Sequence, residues 1–219
     1  MNPILKRTLT GLTVAAAVIL AGLFAPVRAI APAVWVLTLL VVFEYYRLLR
    51  LKVEPLFARL VWTVVGGLVI AFGLGALPVI AAHHGNVMLL YVLAIVKFSD
   101  TGGFAFGLTA AKILKGGNHK LCPTISPGKS WEGLLGSVVF SCAVSCAFIP
   151  VTKFGVPKAL AFGLAAALVG TAGDLVESKF KRWVGVKDSS TMKVTNGMGG
   201  FLDMVDSLLF APGALLPFI

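Results

Sequence analysis

Long stretches without a charged side chain are the feature that most constrains this chain. Seven segments lack Asp, Glu, Lys, Arg and His altogether. A helix needs roughly 20 residues to cross a bilayer. Three segments reach that length alone, and the others reach it only by including an adjoining charged residue. The segments are residues 8–27, 29–43, 60–82, 85–96, 133–152, 159–173 and 207–219.

The composition excludes an ordinary water-soluble domain. Of the 219 residues, 58% are hydrophobic and only 13% are charged, whereas soluble domains carry about 25% charged residues. A chain in lipid must pair its backbone hydrogen bonds internally, and these segments are too long for barrel strands. We therefore expect an all-α, polytopic membrane protein with about seven transmembrane helices. Residues 1–219 should form one integral membrane domain in contact with the lipid bilayer.

The positive charge predicts the topology of the chain. A net charge of +10 would suggest nucleic-acid binding in a soluble protein, but here its distribution is more informative. If the first segment crosses with the N-terminus inside, 15 Lys and Arg residues lie inside and 3 outside, with Lys97 within a span. The positive-inside rule favours this orientation. We expect a cytoplasmic N-terminus, an external C-terminus and no nucleic-acid partner.

Acidic residues are few and concentrated, with five of the nine between positions 174 and 206. Asp174, Glu177 and Lys181 share one face of a helix by their spacing. Asp203 and Asp206 stand three residues apart at the start of the last segment. Converging carboxylates need protons or a cation, and oxygen ligands without His or Cys favour magnesium. Buried ion pairs are the alternative, and the residues alone leave both open. The basic partners would be Lys181, Arg182 and Lys187.

Two basic loops containing glycine flank these acids in the sequence. Residues 119–133 form a turn rich in Pro and Gly, which is not a Walker A loop because Pro123 replaces its first glycine. Residues 187–206 place Gly197, Gly199 and Gly200 directly before the aspartates. Both loops are suited to phosphate, but basic loops are also ordinary topology signals. The polar residues of the first loop are Lys120, Ser126, Lys129 and Ser130.

Asp100 is an ionisable residue in an otherwise apolar segment, followed by Gly102 and Gly103. A charge at membrane depth is costly, and Lys97 stands one helical turn earlier as a candidate partner. Asp100 therefore belongs either to a structural ion pair or to a site.

Three motifs occur in order: FSDTGGFAFG at 98–107, HKLCPTISPGKSWEG at 119–133, and SKFKR-x4-KDS from Ser178 with GGFLDMVDS at 199–207. Together they resemble the phosphatidate cytidylyltransferases, also called CDP-diacylglycerol synthases. The resemblance covers roughly residues 97–210, the expected catalytic region. Residues 1–96 match only in general character.

The resemblance implies an enzyme of a bacterial-type inner membrane whose active site faces the cytoplasm. It implies transfer of a cytidylyl group from CTP to phosphatidic acid, which gives CDP-diacylglycerol and pyrophosphate with Mg²⁺. A second cation and a homodimer are left open. The metal ligands it implies are Asp174, Asp203 and Asp206, which form the catalytic set with Lys187. The substrate-binding residues it implies are Asp100, Ser126, Lys129, Lys181, Arg182 and Asp188.

The chain departs from the family pattern at two positions. Met198 stands where the family usually has His before Gly-Gly, and Met204 stands where it usually has Arg between the aspartates. Lys193 is a candidate replacement for the missing positive charge. Because the carboxylates and lysines remain, we expect an active enzyme.

Two other classes remain as alternatives. One is a CTP-dependent polyprenol or phytol kinase of the same superfamily, which would release CDP instead of pyrophosphate. The other is a small ion-coupled transporter that uses Asp100, Asp203 and Asp206 as an ion path. Carboxylates gathered towards one membrane face, rather than at mid-bilayer, argue against the transporter.

The topology can be tested with a reporter fused after Ile219. Alkaline phosphatase should be active there, because the charge distribution places this end outside the cytoplasm. A fusion after Lys115 should be inactive and serves as the cytoplasmic control. A reporter at Ile219 that stays cytoplasmic would contradict the predicted orientation.

Overall fold

The computed structural model describes residues 16–189 and 200–219. Helices dominate this part of the chain, and its one sheet is a two-stranded hairpin, so the expected all-α class is confirmed. In chain order the elements are α1 (described over residues 16–24), α2 (Val27–Leu49), α3 (Leu56–Ile113), β1 (Lys120–Cys122), β2 (Ser126–Ser130), α4 (Trp131–Ala147), α5 (Ile149–Thr152), α6 (Val156–Val184), α7 (Phe201–Val205) and α8 (Ala211–Leu215). Turns of 3₁₀ helix cover Asp206–Leu208 and Leu216–Phe218.

Four helical segments of the described chain are long and apolar enough to cross a membrane, and α4 is a shorter apolar helix. At 1.5 Å per residue a straight α3 would be about 87 Å long, far more than the hydrocarbon core of about 30 Å. Gly85 breaks α3 with φ 80° and ψ 168°, so its two halves can serve as two spans. The segment 8–27 lies partly outside the described residues, and the number of spans stays a prediction. The four segments are Val27–Leu49, Leu56–Ile113, Val156–Val184 and Phe201–Phe218.

The C-terminal segment differs from the single regular span that the sequence suggested. From Phe201 onwards it alternates short α-helices with 3₁₀ turns. Pro212 and Pro217 each lack a backbone N–H, which limits continuous helical hydrogen bonding. As a result Asp203 lies in α7, whereas Asp206 begins a 3₁₀ turn.

Hydroxyl groups join the helices at the centre of the described fold. Tyr91 of α3 is fully buried, and its hydroxyl lies 2.8 Å from Ser145 Oγ on α4. Ser145 donates to Ala159 O at 2.6 Å, and Ser141 donates to Gly163 O at 2.8 Å. Interhelical hydrogen bonds of this kind hold helices together in lipid, where burial of apolar side chains provides little force.

Glycines allow α3 and α4 to approach closely. A Cβ atom at Gly102 would collide with the backbone oxygen of Gly136, and the reverse also holds. Gly103 and Ser137, the next residues in the chain, line the cavity described below, so this contact sets the distance between two of the cavity walls.

Replacing Gly136 with Ala should destabilise the protein. The added methyl would meet the backbone oxygen of Gly102 and the Cβ of Phe106, and overpacking of this kind costs about 1–3 kcal/mol. Thermal unfolding in detergent measures the effect. Gly67→Ala is the matched control, because a Cβ there makes only ordinary contact with Val42. Equal unfolding midpoints for the two variants would contradict the close contact.

Candidate active site

The C-terminal turns of α6 carry the charged face that the spacing predicted. Glu177 is buried, and its Oε2 lies 2.7 Å from Lys181 Nζ one turn later. The same ammonium donates to Asp203 Oδ1 at 2.6 Å. Lys181 therefore connects two carboxylates from different elements, α6 and α7.

Asp203 also organises the backbone around the start of α7. Its Oδ2 accepts N–H groups from Ser189 at 2.9 Å and Gly200 at 2.7 Å. The bond from Gly200 is the type in which an acidic residue at the third helical position caps the residue before the helix. Since Oδ1 binds Lys181, both oxygens of Asp203 are engaged by described residues.

Glu44 of α2 supports the same region from the N-terminal half of the chain. Its side chain is buried, and Oε2 accepts the Leu202 N–H at 2.8 Å. The Ser189 hydroxyl lies 3.4 Å from the same oxygen and also accepts the Asp203 N–H at 3.4 Å. Glu44 and Ser189 thus fix the entry of the chain into α7.

A second group of carboxylates could hold a metal ion. One oxygen each from Asp174, Glu177 and Asp206 lies within 4.8 Å of the others. The Oε1 atom of Glu177 is buried and accepts no hydrogen bond from the described residues. A buried oxygen without a donor, among three hard oxygen ligands, fits a divalent cation such as magnesium. The residues present therefore fit the metal, although Glu177 rather than Asp203 completes this group.

Asp174 and Asp206 of this group also line a polar cavity of about 570 Å³. Its walls come from α3, both strands of the hairpin, α4, α6 and the C-terminal segment. Ser126, Ser137 and Thr171 add hydroxyl groups, and Phe104 and Leu134 add an apolar side. The charged lining residues are Lys97, Asp100, Lys129, Asp174, Asp203 and Asp206.

The hairpin brings Lys129 over the cavity. Lys129 of β2 forms an ion pair with Asp174 Oδ2. The base of the hairpin is closed by His119, whose Nδ1–H donates to Glu132 Oε1 at 2.6 Å. That hydrogen bond is the main reason that the pKa of the Glu132 carboxyl is lowered to about 2. Glu132 therefore remains a charged acceptor at neutral pH and keeps both hairpin ends together.

The cavity brings together six of the residues selected from the sequence, namely Asp100, Ser126, Lys129, Asp174, Asp203 and Asp206. Lys181 lies beside it through its contact with Asp203. Arg182 points elsewhere and donates to Val186 O at 3.1 Å and Ile125 O at 3.4 Å. Lys187 and Asp188 are exposed and do not line the cavity. Lys193, Gly197, Met198 and Gly199 lie outside the described residues.

Sequence reasoning did not assign Lys97, Glu44 or Ser189 to the site. Lys97 had a signal, because it is a lysine in an apolar segment just before Asp100. Lys97 Nζ lies 3.7 Å from Asp100 Oδ2, as in the ion-pair alternative, and Asp100 also lines the cavity. In the sequence, Glu44 is distinguished only by its place directly after the apolar segment 29–43. Its contact with Leu202 spans 158 positions, and nothing in the local sequence indicates such a contact.

The fold and site together define an integral membrane protein with a carboxylate-lined polar cavity. The family model described as the cytidylyltransferase family matches residues 4–218. The chain therefore belongs to the cytidylyltransferase family.

Individual relatives agree with this family. The chain is 42% identical over 129 residues to a phosphatidate cytidylyltransferase from Staphylococcus aureus, covering 58% of this chain and 46% of that protein. It is 37% identical over 135 residues to a phosphatidate cytidylyltransferase from Haemophilus influenzae, covering 59% and 44%. The chain spans about half the length of the curated relatives it matches.

Replacing Lys181 with Met should destabilise the protein strongly. The change leaves Glu177 and Asp203 without their shared counter-charge, and breaking a buried ion pair from one side costs about 3–5 kcal/mol. Unfolding in detergent at neutral pH provides the measurement. Lys179→Met, on the exposed side of α6, is the matched control. If both variants unfold like the original protein, Lys181 does not hold α6 to α7.

Proposed function

We propose that the protein is a phosphatidate cytidylyltransferase that uses CTP and phosphatidic acid at the cytoplasmic membrane face. A phosphate oxygen of the lipid attacks the α-phosphorus of CTP, and the bond to the bridging oxygen of the β-phosphate breaks. The products are CDP-diacylglycerol and pyrophosphate. A negatively charged phosphate oxygen needs no general base, so positioning and electrostatics can carry the step.

The observation that carries this proposal is the carboxylate group Asp174, Glu177 and Asp206 beside a cavity that Lys97 and Lys129 also line. Carboxylates alone would repel a triphosphate. Carboxylates that hold a divalent cation, next to lysines, would attract it. The family membership and the names of the relatives support CTP and phosphatidate as the substrates.

Asp174, Glu177 and Asp206 are the proposed magnesium ligands. Magnesium bound there would supply positive charge to the phosphate groups during transfer. Lys129 contacts Asp174 and faces the cavity, so its ammonium is placed to bind phosphate oxygens close to these ligands.

Asp203 has a different proposed role from its expected one as a metal ligand. Both of its oxygens bind described groups, namely Lys181 and the backbone of Ser189 and Gly200. We assign it to the assembly of the site, where it fixes α7 and thereby the start of the turn that carries Asp206.

Ser126, Ser137 and Thr171 line the same cavity and offer hydroxyl groups to the nucleotide or the lipid glycerol. The apolar side at Phe104 and Leu134 suits the hydrocarbon of the lipid substrate. Arg182 would act indirectly by holding the hairpin turn through Ile125 O. Lys187 and Asp188 are exposed and lie outside the cavity lining, so they would contact only a part of the substrate that extends beyond the cavity.

Purified protein with labelled CTP, phosphatidic acid and Mg²⁺ should form CDP-diacylglycerol and pyrophosphate. Asp206→Asn should reduce turnover by more than about 100-fold. Loss of a group that only supports a metal ligand costs up to about 100-fold, and loss of a ligand itself should cost more. It should also weaken Mn²⁺ binding, which electron paramagnetic resonance measures without turnover. Glu54→Gln, an exposed acid on the α2–α3 turn, is the control and should behave like the original protein.

Release of CDP with a phosphorylated lipid alcohol would instead identify a lipid kinase. Ion-driven uptake into vesicles without nucleotide turnover would identify a transporter. Normal turnover in Asp206→Asn would disprove the proposed cation ligands.

A further inference from the structure

Lys97 is a cation in the cavity wall that the family resemblance does not assign to the site. It lies on the second half of α3, directly after the apolar segment 85–96. We propose that Lys97 binds a phosphate oxygen of a substrate. The inference deepens the proposed function and rests on it.

Two neutral acceptors fix the position of the Lys97 ammonium. Its Nζ donates to Met204 O at 3.2 Å and to Ser207 Oγ at 3.1 Å. These two residues lie on either side of Asp206 in the sequence. Neither Met204 nor Val205, the two residues between the aspartates, is basic. Lys97 therefore brings a positive charge from α3 to this part of the C-terminal segment.

The Lys97 ammonium donates no hydrogen bond to a carboxylate of the described residues. The carboxylate oxygen paired with it, Asp100 Oδ2, is 3.7 Å from Nζ, longer than a hydrogen bond. By contrast, Lys129 is in direct contact with Asp174, and Lys181 binds two carboxylates at 2.6 and 2.7 Å. Among these three lysines, Lys97 is the one whose ammonium is not in close contact with a carboxylate, so it can bind an anionic ligand most readily.

Exposure supports the same distinction. The Lys97 side chain is 44% exposed, compared with 30% for Lys129 and 12% for Lys181. Lys97 lines the cavity, so its exposed part can meet a molecule bound there.

The two hydrogen bonds of Lys97 do not by themselves require a charge. A carbonyl and a hydroxyl could be satisfied by a neutral donor, whereas an ammonium on an apolar helix is costly. An anion in the cavity accounts for that cost. Phosphate is the shared chemistry of both proposed substrates, as the triphosphate of CTP or as the headgroup of phosphatidic acid.

Lys97→Gln tests the inference, because Gln keeps N–H donors and loses the charge. Binding of CTP and of pyrophosphate is measured by titration calorimetry with Mg²⁺ in detergent, and KM for phosphatidic acid in mixed micelles. We expect at least about a tenfold loss for one substrate, the size of a charge-assisted hydrogen bond. Weaker binding of CTP and pyrophosphate assigns Lys97 to the nucleotide, whereas a raised KM for phosphatidic acid alone assigns it to the lipid phosphate.

Two further variants separate phosphate binding from a structural role. Lys97→Arg retains the charge and should keep most of the affinity. Lys112→Gln removes an exposed lysine from the end of α3 outside the cavity and should leave both affinities unchanged. Unfolding midpoints are recorded for all three variants.

Unchanged affinities in Lys97→Gln would overturn the inference. Equal losses in Lys97→Gln and Lys97→Arg, with lowered midpoints in both, would also overturn it and leave Lys97 as an anchor for Met204 and Ser207. If the original protein binds CTP and forms product, either result leaves the proposed function intact. If the original protein neither binds CTP nor forms product, the proposed function itself fails.

Discussion

The Lys181 ammonium, held between Glu177 and Asp203, is the interaction on which the site depends. It joins α6 to α7, because Lys181 lies on α6 and Asp203 lies on α7, 22 positions later in the chain. All three side chains are largely withdrawn from water, so the two carboxylates would repel each other strongly without a cation between them. Because Asp203 also holds the backbone of Ser189 and Gly200, the same ammonium indirectly sets the path of the chain into the turn at Asp206.

The acids of this region consequently divide into two groups with different physical environments. Asp203 and Glu44 have carboxylate oxygens that accept backbone N–H groups, and they order the start of α7. Asp174, Glu177 and Asp206 converge on one point with an incomplete set of donors. Carboxylates whose oxygens are satisfied by the protein stabilise structure, whereas converging carboxylates with unsatisfied oxygens favour a cation. Glu177 belongs to both environments, since one oxygen meets Lys181 and the other has no described donor.

The sequence predicted what depends on local spacing. Helical periodicity placed Asp174, Glu177 and Lys181 on one face, and it paired Lys97 with Asp100. The ion-pair alternative for Asp203 is the arrangement that the structure shows, with Lys181 as its partner. Long-range geometry was beyond that reasoning. No local pattern indicates that Glu44 meets Leu202, that residues 120–130 pair as a hairpin, or that the last span is broken into short helices.

In the described part of the chain, α3, α4 and α6 pack against one another without ion pairs, and this leaves the few charged residues of the chain available for the site. Glycine contacts and the hydroxyls of Tyr91, Ser141 and Ser145 join α3, α4 and α6. Small residues and neutral hydrogen bonds are sufficient for helix association in lipid, and they avoid the cost of burying ions. Ion pairs are therefore not needed to hold these helices together at mid-membrane. Six charged residues line the cavity instead, where a bound cation and phosphate groups would offset their cost.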